Sequence, residues 1–288
     1  MFNITRQRGL SIVELLVALA ISSFLVLGIT QIYLDGKRND IFRQSQAANL
    51  ENSRFAVLIL NELINKAGYR RSPEQSMLEA FPETNRALPT HCESFAAAAV
   101  ITKLKSTEGG QVGFCLRYQP ALSGEYICDG SKADLASNLP MVQPLLNETV
   151  YLVIKFIPHA TDLNQGSLNC ITGKTVQLME GLADMRIQFG LGDSPSSLST
   201  QPADKKLRVN IPFVKADAWS GDGIVRVVRY AILLASRPNQ RDSNDSKVFS
   251  DWLATVTDST HKARLESVDQ KRIYQHVSHT QSLKNMLP

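Results

Sequence analysis

Polar positions almost vanish near the start of the chain. From 15 to 34 only Ser22, Ser23, Thr30 and Gln31 interrupt an otherwise apolar run. At 1.5 Å rise per residue, a helix of that length matches the ~30 Å hydrocarbon core of a bilayer. A single carboxylate, Glu14, stands at its entrance. Beyond 35 charged residues return, yet the helical period persists. Ile41, Ala48, Phe55, Ile59 and Leu63 recur at seven- and four-residue steps, and Leu60, Ile64 and Ala67 widen the stripe. The pattern predicts one helix whose second half lays an apolar face on a domain. No proline occurs before Pro73, and Gly68 is placed to end the helix in the left-handed C′ conformation. The element would run about 57 residues, or roughly 85 Å, with Gly28 and Gly36 as its weakest points.

After Tyr69 the period shortens. Strands are predicted at 98–104, 111–118, 149–158, 174–178, 185–191 and 223–235, and the stretches 71–89, 193–204 and 237–247 read as loops rich in Pro, Ser, Asn and Asp. The run from Val225 to Leu234 is long and apolar enough to sit centrally in an antiparallel sheet. The fold class is therefore α+β: one long N-terminal helix, with a transmembrane half and an amphipathic half, packed on a β-rich, mainly antiparallel head.

Composition narrows the partners. The chain has 288 residues with 43% hydrophobic content, enough for one anchor and one sizeable folded domain. Its net charge of +4 falls to +2 if Arg6 and Arg8 are removed, and the remaining Lys and Arg are scattered rather than striped. No nucleic-acid partner is expected. Four cysteines, Cys92, Cys115, Cys128 and Cys170, all lie in the head. An even count in an exported domain favours two disulfides, and the spacings lack the close pairs of a structural zinc site. Of the three possible connectivities, Cys92–Cys115 with Cys128–Cys170 is favoured, because bridges between successive segments close loops of modest length.

Candidate enzyme chemistry is poor. His276 and His279 form an H-x-x-H spacing without a Glu-rich or Cys context and read as solvated polar residues. Asp217 and Asp222-Gly223 do not reproduce the D-x-D-x-D-G calcium loop and read as a turn. There is no G-x-S-x-G elbow, Cys115 is better explained by a disulfide than as a nucleophile, and Gly109-Gly110 is a hairpin-type turn with no phosphate-binding Lys-Ser/Thr after it. No cofactor or metal is expected.

The segment Arg8-Gly9-Leu10-Ser11-Ile12-Val13-Glu14-Leu15 changes the reading of the apolar run. An ordinary secretory signal is cut after its apolar core. Here the small residue suited to a cut, Gly9, precedes the core, so the helix would stay on the mature protein. Ser11 and Glu14 also have capping-box spacing, which accounts for a helix start but for neither Gly9 nor a carboxylate beside a membrane span.

This arrangement resembles the class III signal of type IV prepilins, in which Gly precedes the cut and Glu stands five residues into the mature chain. The resemblance implies cleavage between Gly9 and Leu10 by a prepilin peptidase, N-methylation of Leu10, and pairing of Glu14 with the α-amino group of a neighbouring subunit during assembly. It divides the chain into a leader (1–9), a membrane span (10–34), the amphipathic half of the helix (35–68) and a periplasmic head (69–288). Downstream, Asn52-Ser-Arg-Phe-Ala, Ala67-Gly68-Tyr69, Leu116-Arg-Tyr-Gln-Pro, the patch from Leu178 to Gly190, and Trp219 followed by the Val225 strand are similar to the PilW minor pilins. The ending from Gln281 departs from that group's usual close. What this second resemblance implies is a low-abundance subunit that joins other minor pilins and the major pilin, uses an inner-membrane assembly platform, initiates pilus growth and sits at the tip. The alternative is a type II secretion minor pseudopilin of the J type, and a weaker third reading is a membrane-tethered adhesin.

Overall fold

A computed structural model describes residues 11–84, 90–107, 110–192 and 210–286. The first element is α1 (Ile12–Lys66), unbroken through Gly28 and Gly36. The chain separates into two compact units, 1–45 and 46–288. In the first, every described residue up to 44 is exposed.

In the second unit, the remainder of α1 packs on a head built from two antiparallel sheets. The first sheet has the order β1 (Ile101–Lys103), β2 (Val112–Tyr118), β3 (Val150–Ile157), β4 (Ser167–Ile171), β5 (Thr175–Glu180), a meander in which each strand pairs with the next. The second comprises β6 (Leu182–Gly192), β7 (Asn210–Lys215), β8 (Ile224–Ala235) and β9 (Tyr274–Ser282), in the order β7-β6-β8-β9. The apolar β8 lies between β6 and β9, as its composition requires. Gly181, at φ +94°, turns the chain from one sheet into the other. Among the described residues of the head, three shorter α-helices accompany the sheets: α2 (Met77–Ala80), α3 (Lys247–Ala254) and α4 (Ser259–Ser267).

One core joins the helix and both sheets. Ala56, Leu60 and Ile64 of α1 bury against Phe114 and Leu116 of β2, Ile154 and Phe156 of β3, Ile187 and Phe189 of β6, and Tyr230 and Ile232 of β8. Phe114 and Phe189 meet edge-on at 6.3 Å, bridging the sheets. A second cluster forms where Phe249, Trp252 and Leu253 of α3 and Leu265 of α4 cover Leu233 and Ala235 of β8.

The buried face of α1 keeps the later part of the stripe its apolar residues suggest, with Leu60, Leu63, Ile64 and Ala67 buried and Ile59 packed against the core, and departs from it earlier in the helix. It runs through Asn49, Ser53, Ala56, Leu60, Leu63, Ile64 and Ala67, whereas Ile41, Ala48 and Phe55 are exposed. At about 100° per residue, 48 and 55 lie about 120° and 140° around the helix from 60, off the face that 60 and 64 occupy. Polar side chains on the true face are used: Asn49 Nδ2 donates to Ile273 O (3.1 Å), and the Tyr230 hydroxyl donates to Asn61 Oδ1 (3.0 Å).

The helix ends with Gly68 at φ +73°. The C-terminal segment closes over this end. Leu283 and Met286 are buried, and Asn285 Nδ2 donates to the carbonyls of Asn65 (2.8 Å) and Ala67 (3.1 Å), two groups left without intrahelical partners.

Several elements depart from the sequence-based expectations. The 98–104 strand shrinks to Ile101–Lys103, because Ala98 takes φ +58° in a turn. β4, β7 and β9, and all three short helices, were not anticipated. The 71–89 loop holds α2, opened by a capping box in which Ser76 Oγ accepts from Glu79 N (3.2 Å) and Glu79 Oε2 accepts from Ser76 N (3.0 Å). Residues 85–89, the 193–204 loop and Gly109 lie outside the described residues.

Candidate assembly site

The N-terminal part of α1 is apolar around its whole circumference, with a mean hydropathy of 2.6 over its most apolar 18 residues and none of that window buried. Its hydroxyls do not break this surface. Ser22 Oγ donates to Ala18 O (2.7 Å), Ser23 Oγ to Ala20 O (2.8 Å) and Thr30 Oγ1 to Val26 O (2.7 Å), so each polar hydrogen is satisfied within its own helix. Gln31, at the end of the run, turns to Asp35 with both Nε2–O distances 3.3 Å. Helical backbone bonds and self-satisfied hydroxyls give an element compatible with hydrocarbon, or with the flanks of similar helices.

Glu14 lies in the first turn of this helix and is exposed. The backbone begins its bonding with Leu15 N donating to Ser11 O at 3.1 Å. A carboxylate there complements the positive end of the helix dipole. Gly9 and Leu10, together with Arg6 and Arg8, lie outside the described residues.

In the head, Cys92 is bonded to Cys115 and Cys128 to Cys170, with Cα separations of 6.0 and 6.1 Å. Both bridges fasten long connections to the five-stranded sheet. The first ties the irregular segment before β1 to β2; the second ties the connection between β2 and β3 to β4. Arg117 does the same work without covalency. Fully buried, it donates to the carbonyls of Ala99 (2.7 Å), Pro82 (2.7 Å), Phe81 (3.0 Å) and Ala96 (2.9 Å), holding the turns before β1 in place. Burial pulls its guanidinium down to about 10, still far above physiological pH.

His276 and His279 do not come together. Three residues apart on β9 they fall on opposite faces of the sheet. His276 meets the Trp252 ring at 5.3 Å, and His279 the Tyr230 ring at 5.8 Å. They are ring-packing residues rather than merely solvated ones. Asp222 belongs to a turn: its carbonyl accepts from Trp219 Nε1 (2.7 Å), its carboxylate from Ser220 Oγ (2.9 Å), and Gly223 follows at φ +74°.

A polar cluster that the sequence did not single out centres on Asp184 of β6, which is 1% exposed. Its Oδ2 accepts from Trp252 Nε1 (2.8 Å) and lies 3.0 Å from His261 Nε2, while Oδ1 accepts from Met185 N (2.9 Å). One carboxylate thereby fixes both α3 and α4 on the outer face of the four-stranded sheet. The signals for those helices were present: Ser246 and Asp258 are their N-caps, and Phe249, Trp252 and Leu253 have helical spacing.

Comparison with known proteins agrees with the N-terminal geometry. Residues 4–30 match the prokaryotic N-terminal methylation motif, the signature of the type IV prepilin signal. No curated protein sequence matches the chain. Among solved structures, a type IV-like pilin from Thermus thermophilus is similar at a TM-score of 0.39 and 10% identity, over 84% of this chain and 98% of that chain.

Proposed function

We propose that this chain is a minor pilin of the PilW type, a structural subunit and not an enzyme. The observation that carries the reading is a methylation signature set directly on an unbroken helix that is apolar on every side, with one carboxylate in its first turn. Cut between Gly9 and Leu10 by a prepilin peptidase, the protein keeps its span and stays in the bacterial inner membrane with residues 69–288 in the periplasm. The two disulfides support an oxidising compartment for the head.

Leaving the bilayer is unfavourable unless the exposed apolar side chains are buried again. Other helices of the same kind, from other minor pilins and the major pilin, supply that surface at the assembly platform, and head-to-tail contacts that do not close produce a fibre. Glu14 neutralises the new α-amino group of a neighbour in that apolar core. A head of this size suits a terminal place in the filament.

The test has two parts. Replacing Gly9 with a bulky residue leaves a full-length, membrane-held precursor; normal maturation to Leu10 sinks the processing step. Glu14→Ala gives a cleaved, folded protein that supports few or no pili when it is the only copy, counted by electron microscopy, and wild-type piliation reduces Glu14 to a helix-start residue. A deletion that spares pili but stops export of secreted proteins assigns the chain instead to a type II secretion pseudopilus.

A further inference from the structure

The two sheets have four edge strands, β1, β5, β7 and β9. An open edge presents unpaired backbone groups to any extended chain, and folded proteins guard it with short strands, charges, proline, bulges or cover. Three of the four are guarded. β1 is three residues long and is covered by the 91–94 segment, with Glu93 N donating to Lys103 O (3.1 Å). β5 ends on Glu180, and its register against β4 shifts between Leu168 and Asn169. β7 includes Pro212 and Lys215, and its register against β6 shifts between Phe189 and Leu191.

β9 has none of these devices. Its nine residues, Tyr274–Ser282, contain no Lys, Arg, Asp, Glu or Pro, and they pair with β8 without a shift in register. Two bonds at the ends of the strand set the phase of that pairing: Leu283 N donates to Arg226 O (2.8 Å) and Ser236 N to Ile273 O (2.9 Å). Hydrogen-bonded pairs of an antiparallel ladder alternate with non-bonded ones, so Gln275, Val277, His279 and Gln281 bond to β8. The amides and carbonyls of His276, Ser278 and Thr280 therefore point away from the sheet. These three residues are exposed, and no hydrogen bond among the described residues reaches those groups.

α1 flanks this edge. Asn49 donates to Ile273 O, Asn61 accepts from Tyr230, which stands opposite His279, and Asn65 accepts from Gln281. The stretch from 49 to 65 covers about 24 Å and that from 273 to 281 about 26 Å, so helix and strand run side by side in the same direction. At about 100° per residue, Leu50, Arg54 and Leu58 lie within about 60° of Asn61, on the side of the helix that meets β9. Leu50 is 42% exposed and Leu58 64%, so an apolar ledge without cover runs beside the open edge. Charge and direction choose what fits there. β9 offers no ion-pair partner to a charged residue placed opposite it. Ser278 and Thr280 on the outer face suit hydroxyl neighbours, and Val277 with the ledge on the inner face suits apolar ones. A second copy fits poorly. Two β9 strands form a symmetric pair only when antiparallel, which would run the 46–66 segments of the two copies in opposite directions. Chains anchored in one membrane, as proposed above, do not adopt that arrangement. The open edge itself lies in the head and does not depend on that reading.

We propose that β9 is the receptor edge for an extended, uncharged segment of a partner protein, which adds a fifth strand to the four-stranded sheet. Its backbone bonds to His276, Ser278 and Thr280, its hydroxyl side chains stand beside Ser278 and Thr280, and its apolar side chains rest on Val277, Leu50 and Leu58.

Full-length protein in neutral detergent micelles is titrated with a fluorescein-labelled peptide of alternating Val and Thr, and with the same sequence N-methylated at every amide, by fluorescence anisotropy. The unmodified peptide is expected to bind at least tenfold more tightly. Residue-resolved hydrogen exchange should find fast amides at His276, Ser278 and Thr280 in the free protein and slow them at least tenfold at saturation. The amides of Gln275, Val277 and His279 should be slow throughout. Ser278→Pro removes an outward donor and no bond to β8, a place where an edge strand tolerates proline, so it should lose tenfold or more in affinity. If that variant does not fold, the exchange pattern of the unaltered protein decides. Equal affinity for the two peptides, unchanged exchange at the three amides, or full affinity in folded Ser278→Pro overturns the proposal. Slow exchange at the three amides without peptide also overturns it, and if the protection deepens with protein concentration the edge belongs to a second copy.

Discussion

The two halves of α1 share one backbone geometry and obey opposite rules. Between 12 and 34 every side chain is exposed, the residues are apolar on all sides, and the few hydroxyls turn back on their own carbonyls. Between 46 and 66 one face is buried, and it includes Asn49 and Ser53, while Phe55 and Leu58 point outward. Hydrophobicity thus marks the buried face only where water is the solvent. In the first half it marks an element whose partner is a bilayer or another helix, and no side chain there adds to the stability of the head.

The largest expected effect breaks this comparison directly. Leu60 is fully buried under both sheets, so Leu60→Ala should cost about 2–5 kcal/mol and lower the thermal midpoint by roughly 5–15 °C. Leu25, 57% exposed, removes the same atoms from the other half, and Leu25→Ala should leave the midpoint where it was. Equal losses measured by circular dichroism in micelles would mean that the first half supports the head after all.

Next come the disulfides, which sharpen the contrast because both lie in the head. They span 23 and 42 residues, and removing either should destabilise the head by about 2–4 kcal/mol, slightly more for Cys128–Cys170. Membrane retention should be unaffected in both double-serine variants. Peptide mapping without reductant should find no free thiol in exported protein; four reduced cysteines there would contradict both bridges and the orientation.

What the sequence made legible follows the same division. The span was readable because twenty apolar residues have few competing explanations, and β8 because its apolar run admits only a central position. The amphipathic half was legible at Leu60, Leu63, Ile64 and Ala67 and misphased before them, since Ile41, Ala48 and Phe55 outweighed the buried Asn49 and Ser53 on any hydrophobic count. β9 was missed because Tyr274 to Ser282 is an edge strand of polar residues with little apolar alternation. The polar cleft on the outer face of the four-stranded sheet was invisible for another reason: Asp184, Arg186, Lys215, Arg229 and Arg264 converge only through strand register and helix docking, and no linear motif joins them.

A smaller effect is expected at the C-terminal end of the helix. Asn285 supplies two donors to carbonyls that the last turn leaves open, so Asn285→Ala should cost about 1–2 kcal/mol by urea denaturation. The same substitution should speed hydrogen exchange in the last turn of α1 and not at residues 12–34. Unchanged protection at Ala67 and Gly68 would show that Gly68 alone ends the helix.

The smallest effect compares two carboxylates at helix starts, Glu14 in the exposed half of α1 and Asp258 at the N-cap of α4. The amides of His261 and then Thr260 donate to Asp258 (3.1 and 2.8 Å) and hold its carboxyl below the ordinary value of 3.8. A carboxyl whose folded value is depressed contributes stability above its unfolded value and loses it as pH falls through the folded one. Asp258→Ala should therefore lower the midpoint slightly at pH 7, and the gap to the unmodified protein should close as the pH is taken well below 3.8. Glu14→Ala should leave the head's midpoint unchanged at both ends of that range. A Glu14 effect equal to that of Asp258 would mean the first turn of α1 is coupled to the head, and the division between the two halves of the helix would fail.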